Sequence, residues 1–186
     1  KTKKFYYRRA KWDGQDKLTL EKLLTDAHEH LDTGEKRSFA VSSGSEIRGA
    51  NYEKDEGLYL QVVSSVPGEP TSIIEKSKTS KQSTVSAQNA PDGKDYLDGD
   101  VFVFVKDNHV ILCPSGVREK VVETYILNIL RAFDKKDIAK TFELDRVAKT
   151  DKLRMIKEEA TTNNAPRSVF VVGISSQIRY PKIIPK

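Results

Sequence analysis

The sequence predicts an α+β fold in which a mainly antiparallel sheet packs against two amphipathic helices. Residues 98–133 read DGDVFVFVKDNHVILCPSGVREKVVETYILNILRAF, which is a strand, a two-residue turn, a return strand and a helix in direct succession. Residues 19–31 place four leucines and an alanine at helical spacing. A hairpin that leads straight into a helix is typical of α+β proteins and differs from the regular strand–helix alternation of a Rossmann fold.

The N-terminal half predicts one strand, one helix and two further strands. The aromatic-rich segment KKFYYRR, residues 3–9, predicts the first strand. Thr19 is a suitable N-cap for the helix over 19–31. Residues 37–48 and 57–66 then predict two strands joined by a polar loop.

Residues 67–91 differ in composition from the segments on either side. They are rich in Ser, Thr and Lys and contain few large apolar residues. This composition predicts a long loop or a partly ordered connector. A short helix over 77–86 is the alternative.

The strand around residue 103 is predicted to be central because both of its faces are apolar, with valines alternating with Phe102 and Phe104. Asp107-Asn108 supplies the turn, since both residues tolerate the left-handed conformation of tight hairpins. In the return strand, 109–113, Pro114 is expected to end the strand and Ser115 to cap the next helix. That helix has a buried stripe at i, i+4, i+7, i+8 and i+11, made of Val122, Ile126, Ile129, Leu130 and Phe133.

Beyond Phe133 the sequence predicts a strand over 142–147, a short helix over 150–159 and a strand over 168–175. We therefore expect a core domain over 1–133 that contains the connector 67–91. Residues 134–186 are expected to be a C-terminal extension or the start of a second subdomain.

Bulk properties bound the class of protein. The chain has 186 residues, 37% hydrophobic and 32% charged, and contains no run of 18 apolar residues, so no direct membrane insertion is expected. The basic N-terminus has no apolar core of a signal peptide. The single cysteine, Cys113, cannot form an internal disulfide and is expected to be a buried thiol in a reducing compartment. These features predict a cytoplasmic location.

Catalytic and metal-binding patterns are weak. His28 and His30 are two residues apart on a helix, so they diverge and cannot bind one metal ion. Both are expected to be exposed, with His28 on the side of the helix opposite Leu20, Leu24 and Leu31. Cys113 and His109 lie about 13 Å apart along one strand, too far for a catalytic dyad. Neither a zinc-ligand spacing nor a glycine-rich nucleotide-binding loop occurs. We therefore predict a non-enzymatic protein without catalytic residues, metal or cofactor.

Two alternatives remain. Asp95, Asp98 and Asp100 surround Gly99 and could bind the metal of a nuclease-type effector, although Asp-Gly before a strand is usually turn chemistry. The exposed edge of the sheet could instead make the chain a protein-interaction module.

Clustered basic residues favour nucleic-acid binding. The net charge is +5, and the first eleven residues carry six basic side chains and no acid. A second cluster alternates lysine with Ser and Thr in the connector, which would suit salt-dependent contacts to a phosphate backbone that carry no sequence information. The candidate DNA-binding residues are Arg8, Arg9, Lys11, Lys76, Lys78 and Lys81.

The order of elements resembles that of the RexA-like exclusion proteins, a phage-defence family known from phage lambda. The segment LEKLLTDAHEH at 20–30 is similar to a Leu-rich helix that ends in a histidine pair. A Lys/Ser-rich connector, EKSKTSKQSTVS at 75–86, and the strand–turn–strand DGDVFVFVKDNHVILCPSG at 98–116 follow in the family's order. The resemblance covers residues 3–133 in layout, with few identities.

This resemblance implies a non-enzymatic, sequence-tolerant DNA-binding protein of a phage-defence or abortive-infection system. It also implies a homodimer that senses infection and acts with a partner effector protein. The residues that it implies as backbone contacts are Arg8, Arg9, Lys76, Lys78 and Lys81.

Overall fold

An antiparallel sheet of seven strands forms the body of the protein in a computed structural model, which describes residues 3–14, 18–41, 44–76, 79 and 81–147. The described strands are β1 (Tyr6–Lys11), β2 (Ser38–Ala40), β3 (Glu46–Lys54), β4 (Leu58–Ser65), β5 (Thr71–Ile74), β6 (Val85–Gln88), β7 (Leu97–Lys106), β8 (His109–Ser115) and β9 (Glu143–Arg146). The helices are α1 (Leu20–His30), α2 (Lys120–Ala132) and α3 (Lys136–Thr141). The predicted α+β class is confirmed.

The strand order in the large sheet is β2-β3-β4-β7-β8-β1-β9, and β5 pairs only with β6 in a separate two-stranded sheet. The prediction that β7 is central is confirmed, since it is the fourth of seven strands. The β7–β8 hairpin closes through Asp107 and Asn108, and Asp107 takes a φ of 51°. All these elements belong to one unit, residues 1–146.

The core lies on one face of the large sheet. Alternate residues of β4, β7 and β8 are buried there, and the register places them opposite one another across neighbouring strands. Both long helices contribute their apolar stripes to the same cluster, which includes Leu20, Leu24, Leu60, Val62, Val101, Val103, Val110, Leu112, Ile126, Ile129 and Leu130. The helices therefore cover this face, and we call the opposite one the open face.

Helix α1 is attached to the β7–β8 turn at its N-terminus. Thr19 caps the helix as predicted, its hydroxyl oxygen accepting from the N–H of Lys22. The side chain of Asn108 accepts from the N–H of Leu20 at 2.8 Å, and the Glu21 carboxylate accepts from the N–H of Asp107 at 2.7 Å. The turn and the first helical turn thus satisfy each other's free N–H groups.

The expected exposure of His28 is wrong. Its side chain is 1% exposed and lies between α1 and α2. The physical reason is the helical period, because a residue four positions after Leu24 lies on the same side of the helix as Leu24. His30, by contrast, is exposed as expected.

Three predicted boundaries are also corrected. The predicted strand 37–48 is two strands, β2 and the start of β3, and β3 continues to Lys54 through the residues expected to form a loop. Pro114 does not end β8, because it lies where β8 is paired on one side only, with Val101 of β7.

Ser115 does not cap α2. It is the last residue of β8, and a turn at Gly116 with a φ of 79° separates it from the helix. Glu119 is the residue before α2, and no side chain caps this helix. The buried stripe of α2 itself is confirmed at Val122, Ile126, Ile129 and Leu130.

The connector 67–91 contains the β5–β6 hairpin, which the sequence did not predict. The alternative of a helix over 77–86 is wrong in the described residues, since Val85 and Ser86 lie in β6. Helix α3 was also not predicted, whereas β9 lies within the predicted strand 142–147. The predicted helix 150–159 and strand 168–175 lie outside the described residues.

Candidate nucleic-acid interface

Arg8 points from β1 toward the helices, not toward solvent. The buried Val110 lies opposite Arg8 on β8, and the Arg8 side chain is only 10% exposed. The guanidinium forms an ion pair with Glu119 at the start of α2 and donates to the carbonyl of Tyr7 at 2.7 Å. Arg8 thus connects β1 to α2 inside the fold, where its donors already have partners.

Arg9 and Lys11 lie on the open face. Arg9 is exposed and pairs across the sheet with His109 on one side and Asp145 on the other. Lys11 forms an exposed ion pair with Asp145, with Nζ 2.5 Å from the carboxylate oxygen. The strand alternation therefore separates Arg8 from its two basic neighbours.

The connector lysines belong to a different part of the fold. Lys76 and Lys81 are exposed in the link between β5 and β6, and Lys78 lies outside the described residues. We call residues 71–88 the ribbon. Of the eight residues in its two strands, only Thr71 is partly shielded from solvent, so the ribbon projects its side chains into solvent on both faces.

The base of the ribbon is held by local hydrogen bonds. The Asp95 carboxylate accepts from the N–H of Gly68 at 3.0 Å, and Gly68 has a φ of 73° that favours glycine. At the far end of β5, the N–H of Glu75 donates to the carbonyl of Thr84 at 2.9 Å. These bonds close the ribbon at both ends.

The open face carries an aromatic row that was not predicted from the sequence. Tyr7, Ile111, Phe104 and Tyr59 stand opposite one another on four neighbouring strands, and the rings of Tyr59 and Phe104 are 4.7 Å apart. Tyr59 is 44% exposed. The alternation of valine and phenylalanine in β7 was the available signal, but a central strand does not reveal which face the helices cover.

The remaining chemical candidates serve the scaffold. Cys113 is buried, as predicted, and His109 accepts or donates a 2.5 Å hydrogen bond with the Tyr7 hydroxyl. Asp95 holds the ribbon base, and Asp100 accepts from the side-chain amide of Gln61 at 2.9 Å. Among the described residues, no three His, Cys, Asp or Glu side chains are grouped so that they could hold a metal ion.

Comparison with family models, curated proteins and solved structures gives no match for this chain. Within the described part of the chain, the helices lack the length and apolarity that crossing a membrane requires.

Proposed function

We propose that this chain is a non-enzymatic DNA-binding protein that contacts the phosphate backbone through basic segments, above all through the ribbon. The supporting observation is the position of Lys76 and Lys81, which are exposed beyond the end of a two-stranded sheet whose residues are almost all in solvent. A ribbon of this kind can reach a duplex without any change in the folded core.

The charge of the ribbon end suits a polyanion. From Lys76 to Pro91 the sequence has three lysines and no acidic residue, and it is rich in Ser, Thr, Gln and Asn. Lysines neutralise phosphates, and hydroxyl and amide groups donate hydrogen bonds to phosphate oxygens. Arg9 adds an exposed guanidinium on β1, whereas Arg8 supports the fold.

Salt dependence of duplex binding tests the proposal. Fluorescence anisotropy with a labelled 30-base-pair duplex would compare the chain with its Lys76→Gln, Lys78→Gln, Lys81→Gln triple variant over a range of salt. Each lost phosphate contact lowers the slope of log K against log salt by about 0.9, so the triple variant should lose about 2.7 units of slope. No binding by the unaltered chain at low salt would overturn the proposal.

A matched control removes the same charge elsewhere. Lys22, Lys36 and Lys120 are exposed, each is in an ion pair with a nearby acid, and all lie away from the ribbon in the sequence. Their triple glutamine variant should retain the slope. Equal loss in both triple variants would mean that the effect is net charge and not a contact site.

We further propose that the DNA-binding activity belongs to a cytoplasmic phage-defence system and that the chain acts as a homodimer with an effector partner. The resemblance in layout to the RexA-like exclusion proteins supports this part of the proposal. Phage plating on bacteria that express the chain should fall relative to the ribbon triple variant, and sedimentation should give twice the chain mass. Equal plating would overturn the defence role.

A further inference from the structure

Most of the exposed large aliphatic side chains of the described residues lie on the ribbon. Four large aliphatic residues are exposed in the described part of the chain, namely Ile73, Ile74, Val85 and Leu97, at 45%, 61%, 64% and 57%. The first three lie on β5 and β6, and Leu97 begins the strand that follows. Exposed apolar side chains gathered at one place mark a contact surface more often than scattered ones do.

The register divides these residues between the two faces of the ribbon. Ile74 stands directly opposite Val85, so the two most exposed aliphatic side chains share one face. Ile73 stands opposite Ser86 and therefore lies on the other face, because successive residues of a strand alternate. The Ile74–Val85 face continues into Ser72 and Ala87, which are also directly opposite each other.

Ile74 and Val85 are not part of the hydrophobic core cluster. An isolated two-stranded hairpin is only marginally stable in water, so a bound partner would stabilise the ribbon. After the exposed Glu75, which follows Ile74, the chain carries the positive charge of Lys76, Lys78 and Lys81 and has no further acid before Asp92. A partner that suits both features has an anionic rim and an apolar floor. Duplex DNA has this arrangement in its major groove, where phosphates flank a floor that carries thymine methyl groups.

The width of the ribbon fits the major groove of DNA and exceeds the width of the minor groove. Paired strands lie about 4.8 Å apart, so a two-stranded ribbon with its side chains is roughly 10 Å across. The major groove is about 12 Å wide and admits such a ribbon, whereas the minor groove is only about 6 Å wide. We propose that the ribbon enters the major groove with its Ile74–Val85 face against the floor and the exposed Lys76 and Lys81 against the flanking phosphates. This inference rests on the proposed DNA binding and adds preference for thymine-bearing duplexes.

The test removes the thymine methyl group without changing base pairing. Anisotropy titrations would compare two A·T-rich 30-base-pair duplexes, one with thymine and one with uracil throughout, against the unaltered chain and against Ile74→Thr/Val85→Thr. Threonine keeps the β-branched shape that favours a strand. Burial of one methyl group corresponds to about fourfold in affinity, so the unaltered chain should bind the thymine duplex at least about fourfold more tightly.

The expected result is that Ile74→Thr/Val85→Thr has a smaller preference for the thymine duplex than the unaltered chain, with the salt slope preserved, because threonine replaces most of the apolar side chain but keeps one methyl group. Ile73→Thr is the matched control on the same strand and the opposite face, and it should keep the preference for thymine.

Equal affinity of the unaltered chain for both duplexes, with normal salt dependence, would overturn the groove contact and leave the proposed DNA binding intact. Absence of duplex binding by the unaltered chain at low salt would overturn both the groove contact and the proposed DNA binding. A dimer that Ile74→Thr/Val85→Thr converts to monomer, with no change in thymine preference, would show that a second copy covers this face and would also overturn the inference.

Discussion

The hydroxyl of Tyr125 on α2 lies 2.9 Å from Nε2 of His28 on α1, at the centre of the core. The other ring nitrogen of His28, Nδ1, lies 2.6 Å from the carbonyl oxygen of Leu24. A carbonyl oxygen only accepts, so Nδ1 carries the proton and Nε2 accepts from Tyr125. Both nitrogens of a neutral imidazole are thereby satisfied, and the two long helices are joined by a polar contact within an apolar interface.

Acid should weaken the fold through His28. Burial lowers the pKa of His28 to about 4, opposed by its hydrogen bond to Leu24 and assisted by the charge of Arg37. The unfolded chain binds a proton at this residue below about pH 6.5. The contribution of neutral, buried His28 to the free energy of unfolding should therefore be fully present above pH 6.5. It should fall by on the order of 3 kcal/mol between pH 6.5 and 4.

Urea denaturation at pH 7, 6, 5 and 4 measures this dependence. The His30→Gln variant removes an exposed histidine of the same helix and should behave like the unaltered chain. His28→Gln should be less stable at pH 7 and should lose most of the slope between pH 6.5 and 4. The same slope in His28→Gln and the unaltered chain would refute the assignment.

A methyl group at position 49 should disrupt the contact between β3 and α2. A Cβ atom on Gly49 would overlap the hydroxyl oxygen of Tyr125 and lie 2.7 Å from its ring carbon Cζ. Because Tyr125 is fully buried, it has little room to shift. Gly49→Ala should cost about 1–3 kcal/mol of unfolding free energy in urea denaturation. Gly34→Ala, where no atom lies within 4 Å of the added Cβ, is the matched control, and comparable losses in both variants would contradict the overlap.

Substitution of Arg8 should lower the stability of the fold, whereas substitution of its neighbour Arg9 should lower DNA affinity. Arg8→Gln removes the buried one of the two arginine partners of the Glu119 carboxylate, the other being the exposed Arg146, so the fold should lose about 1–3 kcal/mol. Arg9→Gln alters an exposed side chain and should change stability by less than about 0.5 kcal/mol. Thermal unfolding measures the stability of both variants, and duplex titration measures their DNA affinity. A lower DNA affinity with an unchanged melting temperature is expected for Arg9→Gln alone.

Glu21 should stabilise the joint between α1 and the β7–β8 turn. Burial by itself raises the pKa of this carboxyl, but the hydrogen bonds from Lys54 and the Asp107 N–H, with the charge of Lys106, lower the pKa overall. Its contribution is therefore present above about pH 4.5 and is lost as the pH falls further. Glu21→Gln should cost about 1–2 kcal/mol at pH 7 in urea denaturation. Glu29→Gln, an exposed position on the same helix, should have no measurable effect, and an equally small effect at Glu21 would contradict its role.

Local periodicity explains the parts of the fold that the sequence predicted. The Leu-rich stripe of α1, the stripe of α2 and the paired residues of the β7–β8 hairpin each lie within 15 positions of one another. The burial of His28 was missed for a different reason. The prediction placed His28 on the helix side opposite Leu24, although residues four apart share a side, and its hydrogen-bond partner in the core, Tyr125, lies 97 positions away.

The sequence alone determined the class of fold, the two main helices, the central strand and where positive charge gathers along the chain. Only the tertiary structure decided which way that charge points, and it turned Arg8 inward to Glu119 while leaving Arg9 outside. It also paired β5 with β6, so that a polar connector became a ribbon with Ile74 opposite Val85. Composition and helical period act over short stretches of chain, whereas the choice of face and the pairing of strands depend on partners that are distant in sequence.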